Sequence, residues 1–108
     1  MATMSLALDI NNKNGQCTIK IKGILDISTV EIFHEEFEKC GSFNRLVIDF
    51  SEMRFVDSTG IGTIMQVIYA SQERGYTVKF NGLKEKAREV FETVGLFEIM
   101  KAMQDRGR

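Results

Sequence analysis

A chain of 108 residues is long enough to bury one core and short for an enzyme with a separate substrate lobe. Hydrophobic residues make up 44%, charged residues 27%, and the formal net charge is −1, so no basic excess is available to neutralise nucleic-acid phosphates. No apolar run approaches the roughly 18 residues of a membrane span, and Met1-Ala2-Thr3-Met4-Ser5 lacks the basic and apolar regions of a signal peptide, so a cytoplasmic protein away from membranes is expected.

Leu6, Leu8 and Ile10 alternate with Ala7 and Asp9, and Cys17, Ile19 and Ile21 alternate with Thr18, Lys20 and Lys22. This period of two predicts two half-exposed strands, and Asn14-Gly15 between them predicts a tight turn and antiparallel pairing. Gly23-Ile24-Leu25-Asp26 leads into a helix with Val30, Phe33, Phe37 and Cys40 as its apolar stripe. Glu31, Glu35, Glu36, Glu38 and Lys39 take its solvated side, and Gly41 ends it. Arg45-Leu46-Val47-Ile48-Asp49-Phe50 is short, branched and almost continuously apolar, the pattern of a strand buried on both faces. Met53 and Phe55 fall in the connection after it and read equally as core or as exposed contacts. A second helix carries Ile61, Ile64, Met65 and Ile68 on one face and closes at Gly75. Tyr76, Val78 and Phe80 alternate as a fourth strand, and Asn81-Gly82 turns the chain. Ala87, Val90, Phe91 and Val94 predict a third amphipathic helix, Gly95 a break, and Leu96, Ile99, Met100 and Met103 a last helical face. Met65, Met100 and Met103 read as core filler. The polar end, residues 104–108, is expected to fray.

The order β-β-α-β-α-β-α-α predicts a single α/β domain over residues 1–108, with an ordered core over about 5–103. Its mixed sheet should hold about four strands joined by right-handed crossovers. Cys17 and Cys40 have no metal-ligand spacing and read as reduced cytosolic thiols.

The chain is organised around Phe55-Val56-Asp57-Ser58-Thr59-Gly60-Ile61-Gly62, where strand gives way to helix. Asp57, Ser58 and Thr59 can each accept a backbone N–H as helix cap. Gly60 and Gly62 lower helix propensity, so either the helix packs tightly on the sheet here or another backbone must come close. The expected result is a serine hydroxyl at the positive end of a helix dipole. Taken alone, the triplet reads more readily as a cap than as a modification site.

Asp57-Ser58-Thr59-Gly60-Ile61-Gly62 resembles the signature of the STAS-domain anti-sigma factor antagonists. Gly23-Ile24-Leu25-Asp26-Ile27-Ser28-Thr29 is similar to a turn of that family, and Val94-Gly95-Leu96-Phe97 to its break before the last helix. The three motifs occur in the family's order and span nearly the whole chain. Two departures are Ile24, where a glutamate is common, and an early stop relative to longer members. The resemblance implies that a partner kinase phosphorylates the serine after the aspartate, here Ser58. It implies that Asp26, Asp57, Ser58, Thr59, Gly60, Ile61 and Gly62 form the partner-binding region. Asp26 is also read as a helix cap, with Ser28 or Thr29 competing for that place. The implied partners are an anti-sigma factor with serine-kinase activity and a phosphatase for reset; the domain itself needs no cofactor and no metal. Phosphorylation adds about −1.5 to −2 charge, which a helix N-terminus accepts but which, beside Asp57 and across from a docked partner, is repelled and poorly desolvated.

Catalytic readings find little support. Val56 stands where a nucleophile elbow needs glycine, and the only histidine, His34, falls on the polar side of its helix. Met65 stands where a dinucleotide-binding loop needs glycine, and no Lys-Ser or Lys-Thr follows as in a phosphate-binding loop. Asp57 is not in an aspartic-protease triplet, and Glu35, Glu36 and Glu52 lie among ordinary surface charges. The expected class is therefore a binding protein and not an enzyme. A scaffold or accessory subunit of a signalling or transport assembly, with Ser58 unmodified, is the alternative. A small-ligand sensor has no positive support.

Overall fold

The computed structural model describes residues 5–106. Its elements are β1 (Leu6–Lys13), β2 (Gln16–Leu25), α1 (Val30–Glu38), β3 (Arg45–Val56), α2 (Ser58–Arg74), β4 (Thr77–Asn81), α3 (Glu85–Thr93) and α4 (Leu96–Arg106). They form the expected order, around one four-stranded sheet in the order β1-β2-β3-β4. The opening hairpin is antiparallel with Lys13 opposite Gln16, and both turn residues have positive φ, 55° at Asn14 and 81° at Gly15. Asparagine and glycine tolerate that conformation, and a two-residue hairpin turn requires it.

The next two pairings, β2 with β3 and β3 with β4, are parallel. Both crossovers step the same way across the sheet, so right-handed connections place α1 and α2 on one face. The core lies between that face and the helices: Cys17, Ile19 and Ile21 from β2, Leu46, Ile48 and Phe50 from β3, Val78 from β4, and Phe33, Ile64, Ile68, Phe91 and Leu96 from the helices. The other face carries Thr18, Lys20, Lys22, Asp49 and Lys79, in register with Val47 at its centre. The helices thus cover one face of β3 only, and the burial expected on its other face is met at Val47 without them. Val47 is only 6% exposed, because it sits mid-sheet between Thr18 and Lys79, whose aliphatic stem can shield it.

Three further departures have clear causes. β3 does not stop at Phe50; it runs to Val56 with two register shifts against β2, each adding a residue on the β3 side. Met53 consequently lies in the core at 6% exposure while Phe55 stays 54% exposed. On α3 only Phe91 is buried, and Val90 and Val94 are each 43% exposed. α4 runs past its apolar face: the helix reaches Arg106, and Gln104 Oε1 accepts the Val78 N–H at 2.8 Å. Residues 107 and 108 lie outside the described residues.

Two aromatic groups hold the helices down. Phe37, Phe43 and Tyr76 meet at one end of the sheet, with ring centroids 6.2 and 4.9 Å apart. At the other end Phe91 packs 5.5 Å from Phe50 and 6.0 Å from Phe80, fixing α3 beside the C-terminal half of β3. The thiol of Cys17 is fully buried, and burial, with Cys40 as a second influence, pushes its pKa up to about 12. Phe91→Ala should lower unfolding stability by about 3–5 kcal/mol, since a buried ring is lost from a junction of three elements; chemical denaturation measures it.

Candidate functional site

Leu25 and Val56 are register partners at the C-terminal ends of adjacent parallel strands. The residues that follow them, Asp26 and Asp57, are thereby brought side by side although 31 positions separate them in the chain (57 − 26). In open α/β sheets this strand-end edge is where binding sites form.

Asp57 joins the two loops. It occupies the N-cap of α2 with extended backbone, and its Oδ1 accepts the Gly60 N–H at 2.8 Å. Its Oδ2 accepts the Ile27 N–H at 3.2 Å, and its own N–H donates to the Leu25 carbonyl at 3.3 Å. One carboxylate thus caps a helix and pins the β2–α1 loop against it. Of the three residues able to cap, the first does so, which leaves Ser58 at the first helical position, exposed and free of the capping task.

The β2–α1 loop is held internally as well. Asp26 Oδ1 accepts from Ser28 N at 2.9 Å and from Ser28 Oγ at 2.7 Å, and these bonds, the side-chain one foremost, hold its carboxyl below the usual range. Thr29, buried at 4% exposure, donates to the Ile24 carbonyl at 2.8 Å and accepts the Asp26 N–H at 3.0 Å. The N-cap position of α1 falls on Thr29, without a side-chain capping bond, so Asp26 serves the loop and not the helix end. The turn leaves Ile27 73% exposed, directly beside Asp57, and Phe55 stands out at 54% one strand position before Val56. Phe55 precedes Ser58 by three positions in the chain, and Ile27 is tied by its amide to Asp57, the residue before Ser58. Ile27 lies inside a motif already singled out, but only the structure shows it turned to solvent.

The glycines differ. A Cβ on Gly60 would run into the Leu25 carbonyl and stand 2.8 Å from Val56 Cγ2, so this position lets α2 sit on the strand ends. A Cβ on Gly62 would meet nothing within 4 Å. Ile61 is 7% exposed and its side chain belongs to the core; Thr59 is half-buried. The reachable groups are therefore Ile27, Phe55, Ser58 and, in part, Asp26, Asp57, Thr59 and Gly62. The Ser58 hydroxyl sits at the helix end that favours anions, with two carboxylates close by in the connected loops. His34 is exposed on α1, and among the described residues no group of three or more His, Cys, Asp or Glu side chains is arranged to hold a metal ion. No helix among the described residues is long and apolar enough to cross a membrane.

The model of the STAS domain matches residues 7–107. The chain belongs to the STAS domain family. The anti-sigma-B factor antagonist of Bacillus subtilis (strain 168) is 21% identical over 98 residues, which are 90% of each chain. Among solved structures, the anti-sigma factor antagonist SpoIIAA in its unphosphorylated form superposes with a TM-score of 0.67 over 82% of both chains at 19% identity. The murine anion transporter solute carrier 26 family member A9 contains a similar fold, TM-score 0.70 at 17% identity, matching 89% of this STAS domain and 19% of the transporter chain.

Gly60→Ala and Gly62→Ala should move stability in opposite directions. The first drives a methyl into a backbone carbonyl and should abolish the stable fold or cost several kcal/mol, roughly the scale of strong overpacking. The second relieves a helix-interior glycine and should stabilise by about 0.5–1 kcal/mol. Thermal unfolding of the pair reads both. For Asp26, whose folded pKa is depressed, the linked stabilisation is complete above the unfolded value of about 3.9 and is lost as pH falls through the lower folded value; its carboxyl should titrate by NMR below an unstructured aspartate.

Proposed function

We propose that this STAS domain is a cytoplasmic anti-sigma factor antagonist that works by partner switching. In this reading the unphosphorylated domain binds an anti-sigma factor with serine-kinase activity through the edge formed by Asp26, Ile27, Asp57, Ser58, Thr59 and Gly62, and so frees a sigma factor for transcription. The kinase, using its own ATP and magnesium, phosphorylates Ser58 and ends the complex; a phosphatase restores it. The observation that carries the reading is the division of labour at the α2 N-terminus: Asp57 takes the capping bond, and the neighbouring serine is left exposed in the same helix start. The relationship to antagonists named for acting on anti-sigma factors supports the partner class.

The physics of the switch is simple. The helix end tolerates the added negative charge, so the domain stays folded. Across a docked surface the same charge, placed beside Asp57 and near Asp26, meets repulsion and desolvation costing several kcal/mol. Gly60 and Ile61, also expected in this region, serve it through the backbone, one packed against Leu25 and the other anchored in the core.

The similarity to part of an anion transporter favours one second reading, an accessory or scaffold domain in a larger assembly with Ser58 unmodified. A quantitative pull-down from host lysate with wild type, Ser58→Ala and Ser58→Asp distinguishes them. Wild type and Ser58→Ala should hold a kinase-like protein that Ser58→Asp releases, with affinity down roughly a hundredfold or more, the equivalent of a few kcal/mol. Equal capture by all three would overturn the switch and leave the scaffold.

A further inference from the structure

Past Asp49, its last residue paired to β4, β3 continues to Val56 with β2 on one side only. Among the described residues no strand takes the other side of residues 52–56. Facing that edge stands the first half of α3, and between them lies an open groove of about 980 Å3. Its apolar lining comes from Phe55 and Val56 on the strand and Ala87 and Val90 on the helix. Phe55 and Val90 are 54% and 43% exposed. Its charged lining is biased towards cations. Arg54, Lys84 and Lys86 have no salt-bridge partner among the described residues, whereas the acidic Glu52 is engaged by Lys20 at 3.4 Å, leaving Glu85 as the free acid.

We propose that this groove receives an extended, acid-bearing segment of the protein partner, added as a strand to the free edge of β3. The inference rests on the partner-binding reading of the Ser58 edge and extends it to a second contact of the same partner. Three observations converge on it. The free edge offers backbone donors and acceptors of the kind a β-strand addition uses, and the apolar walls can seat alternate side chains of the incoming strand. The unpaired cations complement acidic side chains rather than basic ones. The groove is continuous with the Ser58 edge, because Phe55 and Val56 line it and Asp57-Ser58 follow them directly. An exposed phenylalanine along an unpaired strand edge is also a liability unless something covers it.

The test uses the protein captured by the wild-type chain in the Ser58 experiment, purified and titrated by calorimetry. The variants are Val90→Glu and the double change Lys84→Glu with Lys86→Glu; all three positions are exposed, and circular dichroism checks that the fold is kept. Each should weaken binding about tenfold or more. Hydrogen exchange should show those amides of residues 52–56 that point away from β2 gaining protection in the complex over the free chain. If groove variants bind within about twofold of wild type, or those amides gain no protection while Ser58→Asp still releases the partner, the groove proposal is overturned and the switch stands. If groove variants lose binding while Ser58→Asp does not, the groove stands and the switch falls. Concentration-dependent self-association abolished by Val90→Glu would assign the groove to a second copy of this chain and overturn the proposal. If the wild-type chain holds no protein, both readings fall together.

Discussion

Everything at the strand-end edge depends on the Asp57 carboxylate accepting two backbone N–H groups from different parts of the chain, Gly60 and Ile27. One bond satisfies a helix start that would otherwise leave donors unpaired. The other fixes the β2–α1 loop to that start. The second bond would not be available without the parallel pairing of Leu25 with Val56, which ends both strands at one level. The site is thus a product of register before it is a product of any particular side chain. A charge-assisted bond at a helix terminus is also stronger than a neutral one, which suits a joint between two loops.

That joint has a second layer. Gly60 lets the first turn of α2 rest on the Leu25 carbonyl, so the helix end cannot retreat from the strands or tilt without losing contact. Thr29 turns its hydroxyl inward onto the Ile24 carbonyl and stiffens the neighbouring loop from below. What remains outside this rigid frame is small: a serine hydroxyl, an isoleucine and a phenylalanine. Rigid presentation of a few groups limits the ordering cost of association, which otherwise consumes much of the gain from contact.

The sequence made the elements legible because their signals are local. Alternation marks the hairpin strands, and Asn14-Gly15 the turn; helical spacing of Ile61, Ile64 and Ile68 marks the second helix. The lengths of β3 and α4 were not legible, for different reasons. β3 continues through Glu52, Met53, Arg54 and Phe55 because two bulges of its own keep it paired to β2, and a bulge breaks the period that a strand pattern relies on. α4 continues through the polar Gln104 because a tertiary hydrogen bond, not an apolar face, holds that residue. The open face of the sheet was hidden by Val47, whose shielding depends on the residues of two neighbouring strands. In the site, the Asp57 signature and the Asp26 turn could be read as motifs, but their merger into one hydrogen-bonded unit could not, since it needs the parallel register. The exposure of Ile27 has the same origin.

The bond from the Val78 N–H to Gln104 has a consequence beyond holding α4. The amide of Val78 points away from β3, out of the sheet's last strand, where a neighbouring molecule could otherwise add a strand of its own. A side-chain amide oxygen already occupies that donor. Alternation does the rest, since Lys79 and Thr77 on the same strand face water. Through Gln104, α4 therefore takes one of the donors that edge-to-edge strand addition by another copy would need.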